Sequence, residues 1–251
     1  MARATHYQTG FHNVLAVLQT AAQRVKKIIL QQGREDKRVQ TIIKLAKKHG
    51  IAIEIWHKKK MDQQLNHEAH QGVVALCLSK PIGSEKDLQQ LLKTIDEPPF
   101  LLILDSIQDP HNLAACLRSA DAAGIHAIII PKDNAVGLTA TVSKAACGAA
   151  ETVPLIQVNN LAQTMKWLKA EGIWLYGGTA EAEQSLYQCQ LDGPLALILG
   201  SEGKGLRRLV KEYCDVLWSI PMSGTVSSLN VSIATAISVF EAVRQRKLGG
   251  I

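Results

Sequence analysis

Three short stretches carry the side chains best suited to chemistry: GGTA at Gly177 to Ala180, GSEGKGL at Gly200 to Leu206, and PMSGTVSSLN at Pro221 to Asn230. All are rich in glycine, serine and threonine, which let backbone approach a ligand closely. The third opens into a long helix, whose free N–H groups suit an anionic or carbonyl-bearing ligand. Ser227 or Ser228 as a helix N-cap explains the same residues on structural grounds alone. One cap suffices, however, and the surplus polar side chains face the crevice of the other two loops. A fourth stretch, DPHNLAACLRSADAAG, places Asn112 where it can cap a helix and Arg118 six residues further on, either exposed or paired with Asp121. Spacing alone does not make that arginine catalytic.

Familiar nucleotide motifs do not account for these loops. A dinucleotide fingerprint needs G-x-G-x-x-G after the first strand, and a phosphate-cradling P-loop needs G-x-x-x-x-G-K-[ST]; GSEGKGL supplies neither. Taken alone, a tight turn explains its glycines. Eight histidines are scattered without metal-ligand spacing, and the five cysteines form no C-x-x-C pair, so neither a metal site nor a disulfide framework is expected.

The elements that must position these loops are legible from periodicity. From Phe100 onward, apolar runs alternate with helical stretches. FLLILD, HAIIIP, TVPLIQV, IWLYG, LALILG and VLWSIP read as strands; His111 to Ala123, Ala140 to Ala149, Leu161 to Ala170 and the final segment read as helices. Continuous apolar strands separated by helices predict an α/β fold with a mostly parallel sheet covered on both faces. Such sheets bind ligands beyond the carboxyl ends of their strands, which is where the three loops lie. The last helix carries Ser232, Thr235, Ser238, Glu241 and Gln245 on one narrow stripe, with Val231, Ile233, Ile237, Phe240 and Val243 among the apolar residues around the rest. That pattern predicts a largely buried helix.

Residues 1–80 predict a smaller α/β sandwich, with helices near Asn13 to Ala21 and Val39 to His49 and strands at KKIILQ, IAIEIW and GVVALCL. A linker with one helical piece spans residues 81–98, and the larger domain occupies residues 99–251. Charge divides the same way. Residues 1–80 hold 14 Lys and Arg against 5 Asp and Glu, whereas the remainder holds 14 against 17. A solvated basic face accounts for such a bias, but its confinement to one third of the chain favours contact with a polyanion such as nucleic acid. The segment MARATHYQTG has no apolar signal core and no apolar run reaches 18 residues, so a cytoplasmic protein that does not span a membrane is expected.

DPHNLAACLRSADAAG, LILGSEGKGL and IPMSGTVSSLNVS closely resemble, in order and spacing, the three signature motifs of the SpoU (TrmH-like) branch of the SPOUT RNA methyltransferases. The resemblance covers nearly the whole chain, including GREDKR, HQG, PKDN and CGAAETVPL. It is strongest to the members that methylate a guanosine ribose of 23S ribosomal RNA. It implies a deep trefoil knot in the C-terminal domain, an L30e-like RNA-binding N-terminal domain, and a homodimer with the active site near the subunit interface. The partner it implies is 23S ribosomal RNA or an immature large ribosomal subunit. The cofactor it implies is S-adenosyl-L-methionine, touched by Gly178, Thr179, Gly200, Ser201, Ile220, Met222 and Leu229. Matching the family, Asn112, Arg118, Glu202, Ser228 and Asn230 are the catalytic candidates. Methylation of a different ribosomal or transfer RNA nucleotide, and a catalytically silent RNA-binding assembly factor, are the competing readings.

Overall fold

A computed structural model describes residues 5–65, 69–201 and 203–249. They separate into two compact units, one of residues up to 81 together with 140–152, the other of 82–139 with the residues from 153 on.

In the first unit, β1 (Thr5–Thr9), α1 (Phe11–Thr20), β2 (Val25–Gln31), α2 (Lys37–Lys48), β3 (Ala52–Trp56), α3 (Lys58–Gln64) and β4 (Val73–Leu78) build a four-stranded sheet of order β1-β4-β2-β3. β2 and β3 run parallel, and β4 is antiparallel to both β1 and β2. The apolar stripe of α2 (Val39, Ile42, Ala46) and that of α1 (Val14, Val17, Leu18) meet Ile28, Leu30, Val73 and Ala75 of the sheet. Each fully buried Val, Leu or Ile among them stabilises the fold by roughly 1.5–3 kcal/mol before its lost entropy is set against that.

The second unit opens with α4 (Glu85–Leu92), β5 (Phe100–Asp105), α5 (Pro110–Ala123) and β6 (Ala127–Pro131). The chain then forms α6 (Ala140–Ala145) and α7 (Ala149–Thr152), which pack within the first unit. A single helix over Ala140 to Ala149 was the expectation, and the structure breaks it at Cys147 and Gly148, both at positive φ. A Cβ on Gly148 would lie 2.8 Å from that of Ala16 in α1, so the break lets the two backbones approach. Buried Arg24 pairs there with buried Glu151, and the Lys80 ammonium donates to the carbonyls of Ala150 and Glu151.

β7 (Leu155–Val158), α8 (Leu161–Ala170), β8 (Trp174–Gly178), β9 (Leu195–Gly200), α9 (Arg208–Tyr213), β10 (Val216–Trp218) and α10 (Val231–Leu248) complete the second unit. Its six strands are all parallel, in the order β10-β8-β9-β5-β6-β7. The strand order reverses between β5 and β9, and the loops after β8, β9 and β10 gather beyond that half of the sheet. One face carries Leu101, Ile103, Ile129, Leu175 and Ile198 against Leu161, Met165 and Leu168 of α8. α10 packs against α5 and β9.

The burial of α10 departs from the one its periodicity predicts, for although Val231, Val239 and Ala242 are buried, so is much of the polar stripe. The polar stripe lies inward, with Thr235 and Ser238 fully buried and Glu241 nearly so, whereas Ile233 and Phe240 are about half exposed, at 51% and 46%. Burying these hydroxyls costs little because the helix satisfies them: Thr235 donates to the Val231 carbonyl and Ser238 to that of Thr235. Gln245 and Arg246 are likewise tied to carbonyls of Cys189 and Gly193.

Candidate functional site

The ends of β8, β9 and β10 enclose a pocket of about 400 Å³, lined by Gly178, Thr179, Gly200, Ser201, Ile220, Met222, Ser228 and Leu229 together with Trp218, Val231 and Ala234. That volume lies within the roughly 300–1,000 Å³ of small-molecule sites. All seven residues expected at a cofactor thus face one cavity, and Ser228 faces it with them.

Glycine is required here for space. A Cβ on Gly200 would fall 2.1–2.4 Å from the backbone of Gly205 and Leu206. The loop after β9 therefore folds back over the strand end, closed by the Gly205 N–H donating to the Ser201 carbonyl at 2.9 Å. Buried Asp105 at the end of β5 fixes this turn from beneath: its carboxylate accepts from the Arg207 backbone N–H at 3.0 Å and pairs with the Arg207 guanidinium at 2.7 Å. Sequence reasoning passed over Asp105, although a charge terminating the apolar run FLLILD was a usable signal. Trp218 was passed over as well. It is 1% exposed, and its indole N–H has no partner among the described residues.

The polar start of α10 differs in detail from expectation. The N-cap is Asn230, not Ser227 or Ser228; its side-chain oxygen accepts from the Ser232 N–H at 2.8 Å, and its amide donates to Asn112 at 3.1 Å. Asn112 in turn does not cap α5. Asp109 does so, accepting from the His111 N–H, and Asn112 is buried one turn inside. The two asparagines therefore join the starts of α5 and α10.

Arg118 is not part of this group. Six residues past Asn112 on a helix of 3.6 residues per turn, it points about 120° away, where it is exposed and pairs with no described residue, Asp121 included. It shares an outward stripe with His111, Ala115 and Ala122. Glu202 lies outside the described residues.

Burial raises the thiols of Cys77 and Cys214 to about 12 and those of Cys116 and Cys189 to about 11, so these four are not nucleophiles near neutral pH. No helix among the described residues is long and apolar enough to cross a membrane.

Residues 99–240 match the family described as SpoU rRNA Methylase, and residues 9–81 match a domain described as RNA 2′-O ribose methyltransferase substrate binding. The chain is 56% identical over 238 residues to the 23S rRNA (guanosine-2′-O-)-methyltransferase RlmB of Shewanella oneidensis, covering 95% of this chain and 96% of that one. To the Escherichia coli protein of the same name it is 51% identical, covering 94% and 97%. Among solved structures, the SpoU methyltransferase AviRb of Streptomyces viridochromogenes, in complex with AdoMet, superposes with a TM-score of 0.80 at 23% identity, covering 98% of this chain and 92% of its own. That likeness is one of fold.

Proposed function

The chain belongs to the SpoU rRNA methylase family, and on that footing we propose that it transfers a methyl group from S-adenosylmethionine to the ribose 2′-oxygen of a guanosine in 23S ribosomal RNA. The observation that carries this reading is the convergence of three separate loops on one pocket at the carboxyl ends of β8, β9 and β10. Relatives more than half identical over almost their full length bear the name of that activity. The first unit binds the RNA and the second, which takes in α4 from the expected linker, carries the transfer. Five cysteines free of disulfides favour a reducing cytoplasm.

The pocket fits such a cofactor. The cofactor, when bound, supplies an electrophilic sulfonium methyl. Gly178, Thr179, Gly200 and Ser201 bring backbone groups to it, and Ile220, Met222 and Leu229 offer apolar surface for the adenine. Trp218 holds a desolvated N–H donor ready for an acceptor on the same molecule; a buried unpaired donor is costly until it finds one. Asn112 and Asn230 fix the start of α10 beside the pocket, with Ser228 in its lining.

The attacking hydroxyl must lose its proton as its oxygen reacts. A guanidinium stays charged in proteins, so the role that suits Arg118 is to stabilise the developing alkoxide. In a single chain Arg118 is not among the residues that line the pocket, and beside α5 the helix α10 exposes Ile233 and Phe240. The functional unit is accordingly a homodimer in which this surface is covered and Arg118 meets a site at the interface. Sedimentation should give two chains per particle, and Ile233→Asp should give single chains that keep cofactor affinity and lose transfer; a fully active single chain refutes the dimer. The activity itself is tested by transfer of radiolabel from S-adenosylmethionine to ribosomal RNA or immature large subunits from cells lacking this protein. Labelled RNA supports the proposal, and its absence with both substrates favours a silent binding factor.

A further inference from the structure

The first unit holds a cleft that the methyl-transfer chemistry does not use. It is lined by Gln31 at the end of β2 and Arg34 beyond it, by Lys58 and Asp62 of α3, and by His70 and Gly72 before β4. β2 and β3 are parallel and β4 is antiparallel to β2, so the ends of β2 and β3 and the start of β4 fall on one edge of the sheet. GREDKR and HQG, far apart in the sequence, thereby become the two walls of one site.

Its parts are held by one another. The Arg34 Nε donates to Asp36 at 2.6 Å, and Asp36 is itself fixed as the N-cap of α2, accepting from the N–H groups of Arg38 and Val39. The rest of the guanidinium lies against the 69–72 turn, where a Cβ on Gly72 would be 2.9 Å from Nη1. The turn is rigid too: Gln71 and Gly72 are both at positive φ, and buried His70 accepts from the Gly72 N–H at 2.9 Å while facing Asp62 at 2.9 Å. With its Nδ1 accepting, the neutral His70 ring donates from Nε2 to that carboxylate. A guanidinium fork fixed in this way loses little freedom on meeting a phosphate.

Charge in this region is placed against local preference. Lys37 and Arg38 open α2, at a helix end where the macrodipole disfavours cations, and Lys58, Lys59 and Lys60 follow one another after β3. An anion beside these cations relieves the cost. Asp62 has one oxygen engaged by His70 and leaves the other without a described partner. That oxygen suits a base N–H and repels a bare phosphate.

We propose that this cleft seats one unpaired nucleotide of the RNA, its phosphate on Arg34 and Lys58 and its base edge toward Asp62 and Gln31. The proposal rests on the RNA reading above and locates part of it. The test compares two variants of the whole chain with equal charge loss, Arg34→Gln with Lys58→Gln in the cleft and Lys44→Gln with Lys48→Gln on the exposed side of α2. Filter binding of transcribed 23S ribosomal RNA should weaken at least tenfold for the cleft pair and less than threefold for the other. The slope of log affinity against log salt should fall by about two for the cleft pair only. Thermal melting and cofactor affinity should match wild type in both. Equal losses for the two pairs overturn the cleft assignment alone; a wild-type chain that does not bind the RNA overturns the RNA reading with it.

Discussion

The cleft of the first unit and the pocket of the second are built from opposite materials. The cleft is made of charged and polar side chains that hold each other in place, Arg34 by Asp36 and Asp62 by His70. The pocket is made mainly of strand ends, glycines, serines and apolar side chains, and of its charged lining Glu181 and Lys211 pair with each other at 2.8 Å. The first design recognises a polyanion and fails when charge or salt changes. The second recognises a small molecule by shape and fails when volume changes.

Gly200→Ala should break the pocket most severely. The added methyl meets backbone rather than a movable side chain, so calorimetry should show cofactor affinity reduced more than 100-fold while RNA affinity stays within twofold. Salt should act the other way round. Between 50 and 200 mM, RNA affinity should fall about tenfold from the Arg34 and Lys58 contacts alone, with cofactor affinity nearly constant.

Trp218→Phe sharpens the comparison more gently. It removes the unpaired N–H together with part of the indole that packs over Gly178, so the cofactor dissociation constant should rise at least about fivefold, roughly 1 kcal/mol. An unchanged constant would show that the indole N–H does not meet the cofactor.

The smallest effect is alkaline. The folded chain retains thiol protons that the unfolded chain releases above about pH 9, so stability falls as pH climbs from 9 toward 11–12. Three of these thiols lie in the second unit and one in the first, and Cys116→Ala should lessen the fall of the urea midpoint over that range.

The parallel sheet was legible because strands buried on both faces read as unbroken apolar runs, and the loops beyond them were legible because they concentrate glycine and serine. β1 and α3 were not. The segment THYQT has no alternating pattern, and KKKMDQQ offers only Met61 as a buried anchor. The inward polar stripe of α10 was hidden for a different reason, since hydropathy treats Thr235 and Ser238 as polar while the helix's own carbonyls satisfy them. Arg118 was found by motif and separated from Asn112 by helical geometry.

The most direct measurement is the position of the methyl group. Ribosomal RNA from cells lacking the protein, treated with the purified chain and S-adenosylmethionine, would be digested in alkali, which cleaves beside free 2′-hydroxyls and leaves a methylated ribose linked to its neighbour. The account predicts one alkali-resistant dinucleotide from 23S RNA, its 5′ residue 2′-O-methylguanosine by mass spectrometry. A methyl on a base, or no resistant dinucleotide from RNA or immature subunits, would contradict it.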